Sequence, residues 1–381
     1  MSNNEIKQIK INYNFKESSF LCPSLLEIYR DEIFNDKGNS YNNPFKIELN
    51  KSCSVNEIKN VVTKLFDIFP VLLAHIIRKD DDVLLAFDGE PQVIIGSSDD
   101  VDSFISPFNL KKSLSKFLIV ENEDVNFLYI DLHQLIFDYN SLDIIFDTLL
   151  SLLEGEDINL VDDGVLRQFS LEDFLIDSEY KNNALKFYEP ILSDYDNVSD
   201  LLPSIKNEKN ADFKYLTSFD IDSNIINSFL EHNSISPNNF FASVFAYTLS
   251  RFVGNDKVFF NIVENGRDRF NNFDSIGMFV NTLPLLVNCK NQNISSFMDY
   301  MSDLIYNVMN YNYYPYRLLA KDYGINSNII FQFMPEWIYK SDNSPDYVFE
   351  DVKDKIVENM NDSISDLDVE LIQNEDNQFK Y

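Results

Sequence analysis

Residues Ile276–Leu285 read IGMFVNTLPL, and this stretch decides the fold prediction. The run is almost entirely apolar, which is typical of a strand buried on both faces. Asn281 is the polar exception, and a buried polar side chain must find hydrogen-bond partners. The run predicts a buried strand over about 279–287. A strand with a glycine-kinked entry would explain the pattern without any special role for Asn281.

The length and charge of the chain limit what it can be. Its 381 residues are too many for one ordinary core and predict two lobes of about 100 to 200 residues each. Apolar residues make up 45% of the chain, so both lobes can bury a core. The 62 acidic and 31 basic side chains give a formal net charge of −31. Such a charge repels phosphate backbones and anionic lipid, so we expect neither nucleic acid nor membrane partners.

The cysteines and the N-terminus indicate the compartment. The three cysteines are widely spaced, without the spacing of a zinc or redox centre. The N-terminal segment lacks the apolar core of a signal peptide, and no window approaches about 18 uninterrupted apolar residues. The sequence contains no HxH, HExxH or carboxylate ladder. We therefore expect a soluble cytoplasmic protein without a metal site.

Several elements can be placed from capping residues and apolar periodicity. Ser54 and Glu57 have capping-box spacing ahead of an apolar period, which predicts a helix over 55–67. Ser236 and Pro237 begin another apolar helix, which Gly254 ends. The other predicted helices cover 171–192, 222–232 and 295–311, and the predicted strands cover 82–87, 125–132, 257–263, 279–287, 328–333 and 366–372.

This alternation of elements predicts an α/β fold with two lobes of similar size and order. We place the N-terminal lobe at residues 1–175 and the C-terminal lobe at residues 176–381. A polar, loop-like stretch at about 193–212 is the predicted linker.

A second informative stretch follows the strand predicted over 125–132. It reads HQLIFDYNS from His133 to Ser141. Asn140 or Ser141 is suited to cap the helix that follows. Because neighbouring side chains on a strand point to opposite faces, His133 and Gln134 should not face the same space.

Three segments in this order resemble the condensation domains of nonribosomal peptide synthetases. The segment from His133 to Ser141 is similar to the family's HHxxxDGxS motif, and Gly266-Arg267 is similar to the family's GR. The run IGMFVNTLPL is similar to the family's IGxFVNTLPL almost letter for letter. The resemblance implies two chloramphenicol-acetyltransferase-like lobes, each a mixed sheet flanked by helices, in a V-shaped pseudo-dimer with a central tunnel.

Weaker similarities extend the resemblance over most of the chain. They are Phe69–Leu72 with the family's RHxxLR, Glu172–Phe174 with YxDF, Phe331–Met334 with a late FQ strand, and Ser365–Leu371 with SDLxL. The family continues beyond this last segment, so we expect the C-terminal end of the domain to be missing.

The resemblance implies a reaction. In the family, two carrier domains present acyl thioesters on phosphopantetheine arms, and an amine on one attacks the thioester on the other. The second histidine of HHxxxDG acts as general base or positions the amine. Gln134 occupies that position and cannot take up a proton near neutral pH. A base contributes about 10² to 10⁴ in rate, so about 3 to 5 kcal/mol of barrier lowering is in question.

The resemblance also implies which residues form the site. The catalytic candidates are His133, Gln134 and Asp138. The substrate-binding candidates are Gly277, Met278, Asn281, Tyr139 and Ser141, and Arg267 is the candidate for structural support.

Several departures from the family surround this site. The arginine that supports the family's aspartate corresponds to Leu73 here, so Arg267 or Arg78 would have to pair with Asp138. Tyr139 replaces the motif's glycine, which costs energy if that position needs a positive φ. These departures favour a site that has changed its task or lost it.

Lys111, Lys112 and Lys116 form the tightest basic cluster in this acidic chain. We interpret it as a solvated loop, with contact to an acidic carrier domain as the alternative.

The leading hypothesis is a condensation domain that joins two carrier-bound acyl or aminoacyl thioesters by an amide bond, with Gln134 in place of the base. Donor and acceptor peptidyl carrier domains are its expected partners, and an adjacent adenylation domain in the parent chain is a further candidate. No permanently bound cofactor is expected. One alternative is a catalytically inactive module that docks carriers or a tailoring enzyme. The other is an acyltransferase that uses a soluble thioester such as coenzyme A.

Overall fold

The computed structural model describes residues 11–35, 38–176, 178–195, 198, 223–290, 293–325, 329–335, 347–351, 366–373 and 379–380. Most of the linker predicted at 193–212 lies outside these residues.

Two five-stranded mixed sheets and one three-stranded sheet organise the described residues. The strands are β1 (Ser19–Phe20), β2 (Asn42–Asn50), β3 (His75–Lys79), β4 (Asp82–Ala86), β5 (Val93–Gly96), β6 (Ser115–Glu121), β7 (Val125–His133), β8 (Lys257–Glu264), β9 (Asn281–Asn288), β10 (Ile329–Pro335), β11 (Tyr347–Asp351), β12 (Leu367–Gln373) and β13 (Phe379–Lys380).

The first large sheet has the order β11-β2-β7-β6-β5, with β5 parallel to β6 and the other pairs antiparallel. The second has the order β13-β12-β10-β8-β9. Its three inner strands are parallel, and its two outer pairs are antiparallel. The small sheet is β1-β4-β3 and is antiparallel.

Helices lie between the strands along the chain. They are α1 (Pro23–Asn35), α2 (Val55–Ile68), α3 (Val101–Phe104), α4 (Tyr139–Leu153), α5 (Gly164–Ile176), α6 (Glu179–Leu192), α7 (Ser223–Asn233), α8 (Pro237–Val253), α9 (Arg267–Phe270), α10 (Ile294–Met309) and α11 (Tyr316–Tyr323). Among the described residues, none of the helices combines the length and apolar character needed to cross a membrane.

The helix ends predicted from local residues are confirmed. Ser54 caps α2 by accepting a hydrogen bond from the backbone N–H of Glu57, whose carboxylate accepts the N–H of Ser54. Ser236 caps α8 with Pro237 as its first residue. Gly254 ends α8 in the left-handed conformation with φ 71°. Each of these signals depends on residues close in sequence, which is why they could be predicted.

Three element predictions are wrong. The single helix expected over 171–192 is two helices, α5 and α6, because Ser178 caps a new helix by accepting from the N–H of Tyr180. The helix expected after Asn140 or Ser141 begins earlier, with Asp138 as its N-cap. The strand expected over 279–287 begins at Asn281 instead.

The two halves of the chain interlock. The first apolar core contains residues of α2, β6, β7 and α4, and Ile276 from the second half packs into it with 1% exposure. Helix α5 gives Phe169 to this first core and Leu171 and Leu175 to the second. Strand β11 adds to the first sheet beside β2. The division into lobes 1–175 and 176–381 stays a prediction. Ile276, α5 and β11 each make contacts across that division.

Candidate functional site

The predicted site residues gather where β7 ends and α4 begins. The segment between these elements contains His133, Gln134 and Asp138, and a 3₁₀ turn occupies Gln134–Ile136. The loop between β8 and β9, which includes α9, packs against this segment through the hydrogen bonds described below. Residues from both halves of the chain therefore meet at one junction.

Asp138 is the centre of the junction. Its Oδ1 accepts from the backbone N–H of Ser141 at 2.9 Å and from the Ser141 hydroxyl at 2.8 Å. The same oxygen accepts from the Nη2 of Arg267 at 2.6 Å, and both side chains are almost fully buried. Its Oδ2 accepts from the backbone N–H of Phe279 at 3.2 Å. Asp138 thus caps α4 and holds the second half of the chain with the same carboxylate.

Arg267 is the arginine that pairs with Asp138, whereas Arg78 is exposed on β3. The Nη1 of Arg267 donates to the carbonyls of Asn272 at 2.7 Å and Ser275 at 2.6 Å. The guanidinium therefore donates hydrogen bonds to two backbone carbonyls of its own loop and to the carboxylate of Asp138. A planar, multi-donor cation suits such a site because it serves several acceptors at once.

Ser141 and Gly277 join the two halves directly. The N–H of Gly277 donates to the hydroxyl oxygen of Ser141 at 3.1 Å, and the carbonyl oxygen of Gly277 lies 3.0 Å from the same hydroxyl, whose one proton goes to Asp138. Ser141 is fully buried. The structure places both residues in the junction, and their expected contact with substrate stays a prediction.

Other polar contacts across the junction had no signal in the sequence. Asp162 accepts from the N–H of Ile276 at 2.9 Å and from that of Gly164 at 2.9 Å. Burial raises the pKa of Asp162, although these hydrogen bonds oppose the rise. Arg167 donates to the side chain of Asn272 at 2.7 Å. Asp162 and Ile276 lie 114 positions apart in the chain, and Arg167 and Asn272 lie 105 apart, so spacing alone could not reveal these two contacts.

Met278 and Glu172 belong to the same junction. The side-chain amide of Gln168 donates to the carbonyl of Met278 at 3.1 Å and to Glu172 at 3.2 Å. Glu172 also accepts from the hydroxyl of Ser24 at 2.7 Å, at the first turn of α1. The side chain of Met278 packs against the first core. Helix α5 therefore connects α1 with the loop that precedes β9.

His133 is fully buried at the end of β7. Its Nδ1 accepts from the N–H of Leu135 at 3.0 Å, and its Nε2 lies 2.8 Å from a carboxylate oxygen of Glu32. Both ring nitrogens are therefore engaged within the protein. This geometry favours a supporting role over direct action on a substrate.

Gln134 begins the 3₁₀ turn and is half-buried, while the two residues after it are buried. Its backbone N–H donates to the carbonyl of Tyr41 at 2.9 Å. Among the described residues, its side-chain amide has no hydrogen-bond partner. The amide can donate and accept hydrogen bonds with a bound group, but it cannot act as a base.

Tyr139 avoids the backbone strain considered for its position, and Asn281 has the hydrogen-bond partner that its burial requires. Tyr139 is the first residue of α4 and does not adopt a positive φ, so the strain considered for this position does not arise. Its ring contacts those of Phe45 and Phe137. Asn281 begins β9 and donates to the carbonyl of Asn312 at 2.7 Å, which gives this buried amide the partner that it needs.

The basic cluster is not a uniformly solvated loop. Lys116 forms an ion pair with the fully buried Asp131 at 3.0 Å and donates to the carbonyls of Phe104 and Ser106. Burial raises the pKa of Asp131, and the pairing with Lys116 opposes this rise. Only Lys111 and Lys112, of the three, are exposed.

A comparison with protein families identifies the chain. The profile of the condensation domain matches residues 27–380, so the chain belongs to the condensation-domain family. The family predicted from the sequence motifs is therefore confirmed. No curated protein sequence matches the chain significantly.

Solved structures have the same fold at low sequence identity. The first condensation domain of the CDA synthetase is 13% identical with a TM-score of 0.69, covering 96% of this chain and 92% of that one. The condensation domain of the monacolin K polyketide synthase MokA is 12% identical with a TM-score of 0.72, covering 96% and 91%. The X-domain in complex with OxyB from teicoplanin biosynthesis is 12% identical with a TM-score of 0.75, covering 97% and 89%. The α/β, chloramphenicol-acetyltransferase-like fold is confirmed, and the V shape and central tunnel stay predictions.

Proposed function

We propose that this condensation domain joins two carrier-bound acyl or aminoacyl thioesters by forming an amide bond, with Gln134 at the point where the two substrates meet. The observation that carries the proposal is the arrangement around Gln134. The buried Asp138–Arg267 pair holds the motif in place, and the side-chain amide of Gln134 has no partner in the described residues. A polar group with unused hydrogen-bonding capacity, at the motif position of the family's base, is suited to contact a substrate.

The proposed reaction does not require a protein base. The nitrogen of the acceptor amine attacks the carbonyl carbon of the donor thioester, the carbon–sulfur bond breaks, and the thiol leaves with a proton that the amine gives up. A neutral amine is already nucleophilic. Holding the two reactants in a reactive orientation can lower the activation barrier by several kcal/mol, up to about 7 to 11 kcal/mol. The Gln134 carbonyl can accept an N–H of the amine, or its NH₂ can donate to the tetrahedral oxygen.

The proposed partners follow from the substrates. Donor and acceptor carrier domains would deliver the thioesters on phosphopantetheine arms, and an adenylation domain in the parent chain would load them. These arms belong to the carriers, so the domain itself needs no resident cofactor.

The proposal is tested by reconstituting the domain with loaded donor and acceptor carriers and measuring amide product by mass spectrometry. We expect product above the uncatalysed rate with the wild-type domain. Gln134→His restores a titratable group and should raise the rate by about tenfold or more, since a positioned base contributes about 10² to 10⁴. Gln134→Leu, which cannot form hydrogen bonds, should lower it.

The control is His232→Gln in the last turn of α7, a histidine outside the site. A folded wild-type domain that gives no product above background would refute the enzymatic proposal.

A second candidate is a non-catalytic docking module for carriers or a tailoring enzyme. Two observations favour it: Gln134 cannot act as a base, and both ring nitrogens of His133 are engaged. This function predicts measurable binding of a carrier or partner without turnover. It also predicts that the Gln134→His variant forms no amide product above the uncatalysed rate. Calorimetric titration with loaded carriers, alongside the product assay, separates the two functions.

A further inference from the structure

We propose that Glu32 of α1 is a positioning residue for Gln134 and acts through His133. This inference rests on the proposed function in one respect, because that function is what assigns Gln134 to contact the substrate. The geometry that carries it is independent of that function, since it concerns which atoms hold the 3₁₀ turn in place.

The ring of His133 connects α1 with the turn. Its Nε2 lies 2.8 Å from Oε2 of Glu32, and its Nδ1 accepts from the N–H of Leu135 at 3.0 Å. An Nδ1 that accepts a hydrogen bond bears no proton, so the proton of the neutral ring is on Nε2 and is donated to Glu32. The carboxylate therefore selects the tautomer whose Nδ1 can hold the turn.

Among the described residues, Glu32 is the one hydrogen-bond partner of the Nε2–H of this buried ring. His133 is fully buried, and the Glu32 side chain is 11% exposed. The ring packs against those of Tyr41 at 6.0 Å and Phe108 at 5.4 Å between centroids. Without an acceptor at position 32, the ring would have to change tautomer or move, and either change releases the N–H of Leu135.

Helix α1 holds both sides of the same turn. The backbone N–H of Gln134 donates to the carbonyl of Tyr41, whose hydroxyl donates to Asp31 at 2.6 Å. Glu32, the next residue on α1, holds the turn through His133. Two adjacent carboxylates of α1 thus determine where the turn lies and where its half-buried first side chain points.

The first experiment measures the tautomer and the position of the turn without any reaction. Long-range ¹H–¹⁵N spectra report the tautomer of each histidine, and the chain has three, so His75→Gln and His232→Gln variants assign the signal of His133. We expect the Nε2–H tautomer in the wild type. Glu32→Gln keeps an acceptor and should keep both this tautomer and the side-chain amide signals of Gln134. Glu32→Leu should change both.

The second experiment measures amide formation. Glu32→Leu should lower the rate by about 10-fold to 100-fold, the scale on which small misplacements of a reacting group act, while Glu32→Gln should restore most of it. The control is Glu123→Leu, an exposed glutamate in the turn before β7, at the opposite end of that strand. Far-UV circular dichroism checks that each variant is folded.

The two proposals fail in different ways. If the wild type forms no amide, the proposed function fails, and the spectra alone decide the role of Glu32. If Glu32→Leu is folded and leaves both the His133 tautomer and the Gln134 amide signals unchanged, the positioning role is overturned. A rate loss that Glu32→Gln does not restore would also overturn it, because the acceptor atom would then be irrelevant.

Discussion

Replacing Arg267 by methionine should destabilise the domain more than the loss of any surface ion pair. Arg267 and Asp138 are buried together, with side-chain exposures of 3% and 1%. Methionine fills similar space but leaves the carboxylate without its cation. The two carbonyls that accept from Nη1, those of Asn272 and Ser275, also lose their donor.

The magnitude follows from the burial of the pair. Removing one partner of a buried ion pair costs about 3 to 5 kcal/mol, because the remaining charge is uncompensated. Asp138 keeps three hydrogen bonds, from the N–H and hydroxyl of Ser141 and from the N–H of Phe279. These bonds partly stabilise the carboxylate, so we expect a cost near the lower end, about 3 kcal/mol.

The assay is urea unfolding followed by far-UV circular dichroism, with Arg251→Met as the matched control. Arg251 pairs with Asp256 at 2.8 Å, but the two side chains are 51% and 47% exposed. An exposed pair contributes about 0 to 1 kcal/mol. Equal losses of unfolding free energy in the two variants would refute the reasoning. A double-mutant cycle with Asp138→Asn should show a coupling of up to about 3 kcal/mol.

Two further predictions concern α4 and the loop before α9. Burial, and secondarily the nearby Asp147, raises the pKa of Asp143 from 3.8 to about 6. A raised carboxyl pKa destabilises the fold as pH rises from about 4 to 6, so Asp143→Asn should be stabilising above pH 6 and neutral below pH 4. The shift in pKa corresponds to about 3 kcal/mol, and partial solvent access reduces the expected gain in unfolding free energy to about 1 kcal/mol. Unfolding experiments on both proteins at pH 4 and pH 8 measure this gain. Equal stability of both proteins at pH 8 would contradict the prediction. Gly266→Ala should abolish soluble expression, or lower the free energy of unfolding several-fold more than Gly254→Ala does. Both glycines have a positive φ, but a Cβ at Gly266 would lie 1.8 Å from the carbonyl oxygen of Phe279, whereas a Cβ at Gly254 would meet nothing within 4 Å. Similar melting temperatures for the two alanine variants would contradict the steric argument.

Much of the site could be foreseen from motif positions. The run IGMFVNTLPL and the segment from His133 to Ser141 indicated the family, and Arg267 was one of two candidates to pair with Asp138. What could not be foreseen was which side chains the junction uses. Ser141 and Gly277 bond each other across 136 positions of the chain, and such a partnership leaves no local pattern.

The sequence by itself determined the elements whose ends depend on neighbouring residues. The capping box of Ser54 and Glu57 and the left-handed Gly254 are satisfied within one turn of backbone, so they form wherever the helix lies. It also determined that Gln134 cannot take up a proton, since this is a property of the side chain alone.

Only the tertiary structure decided how distant groups are partnered. Asp138 caps α4, and Arg267, 129 positions away, neutralises the same buried carboxylate. Lys116, which composition alone would place in solvent, is drawn inward by Asp131. The physical reason is the same in both cases: a buried charge is costly unless an opposite charge or hydrogen bonds compensate it, and chain folding, not sequence spacing, determines which partner reaches it.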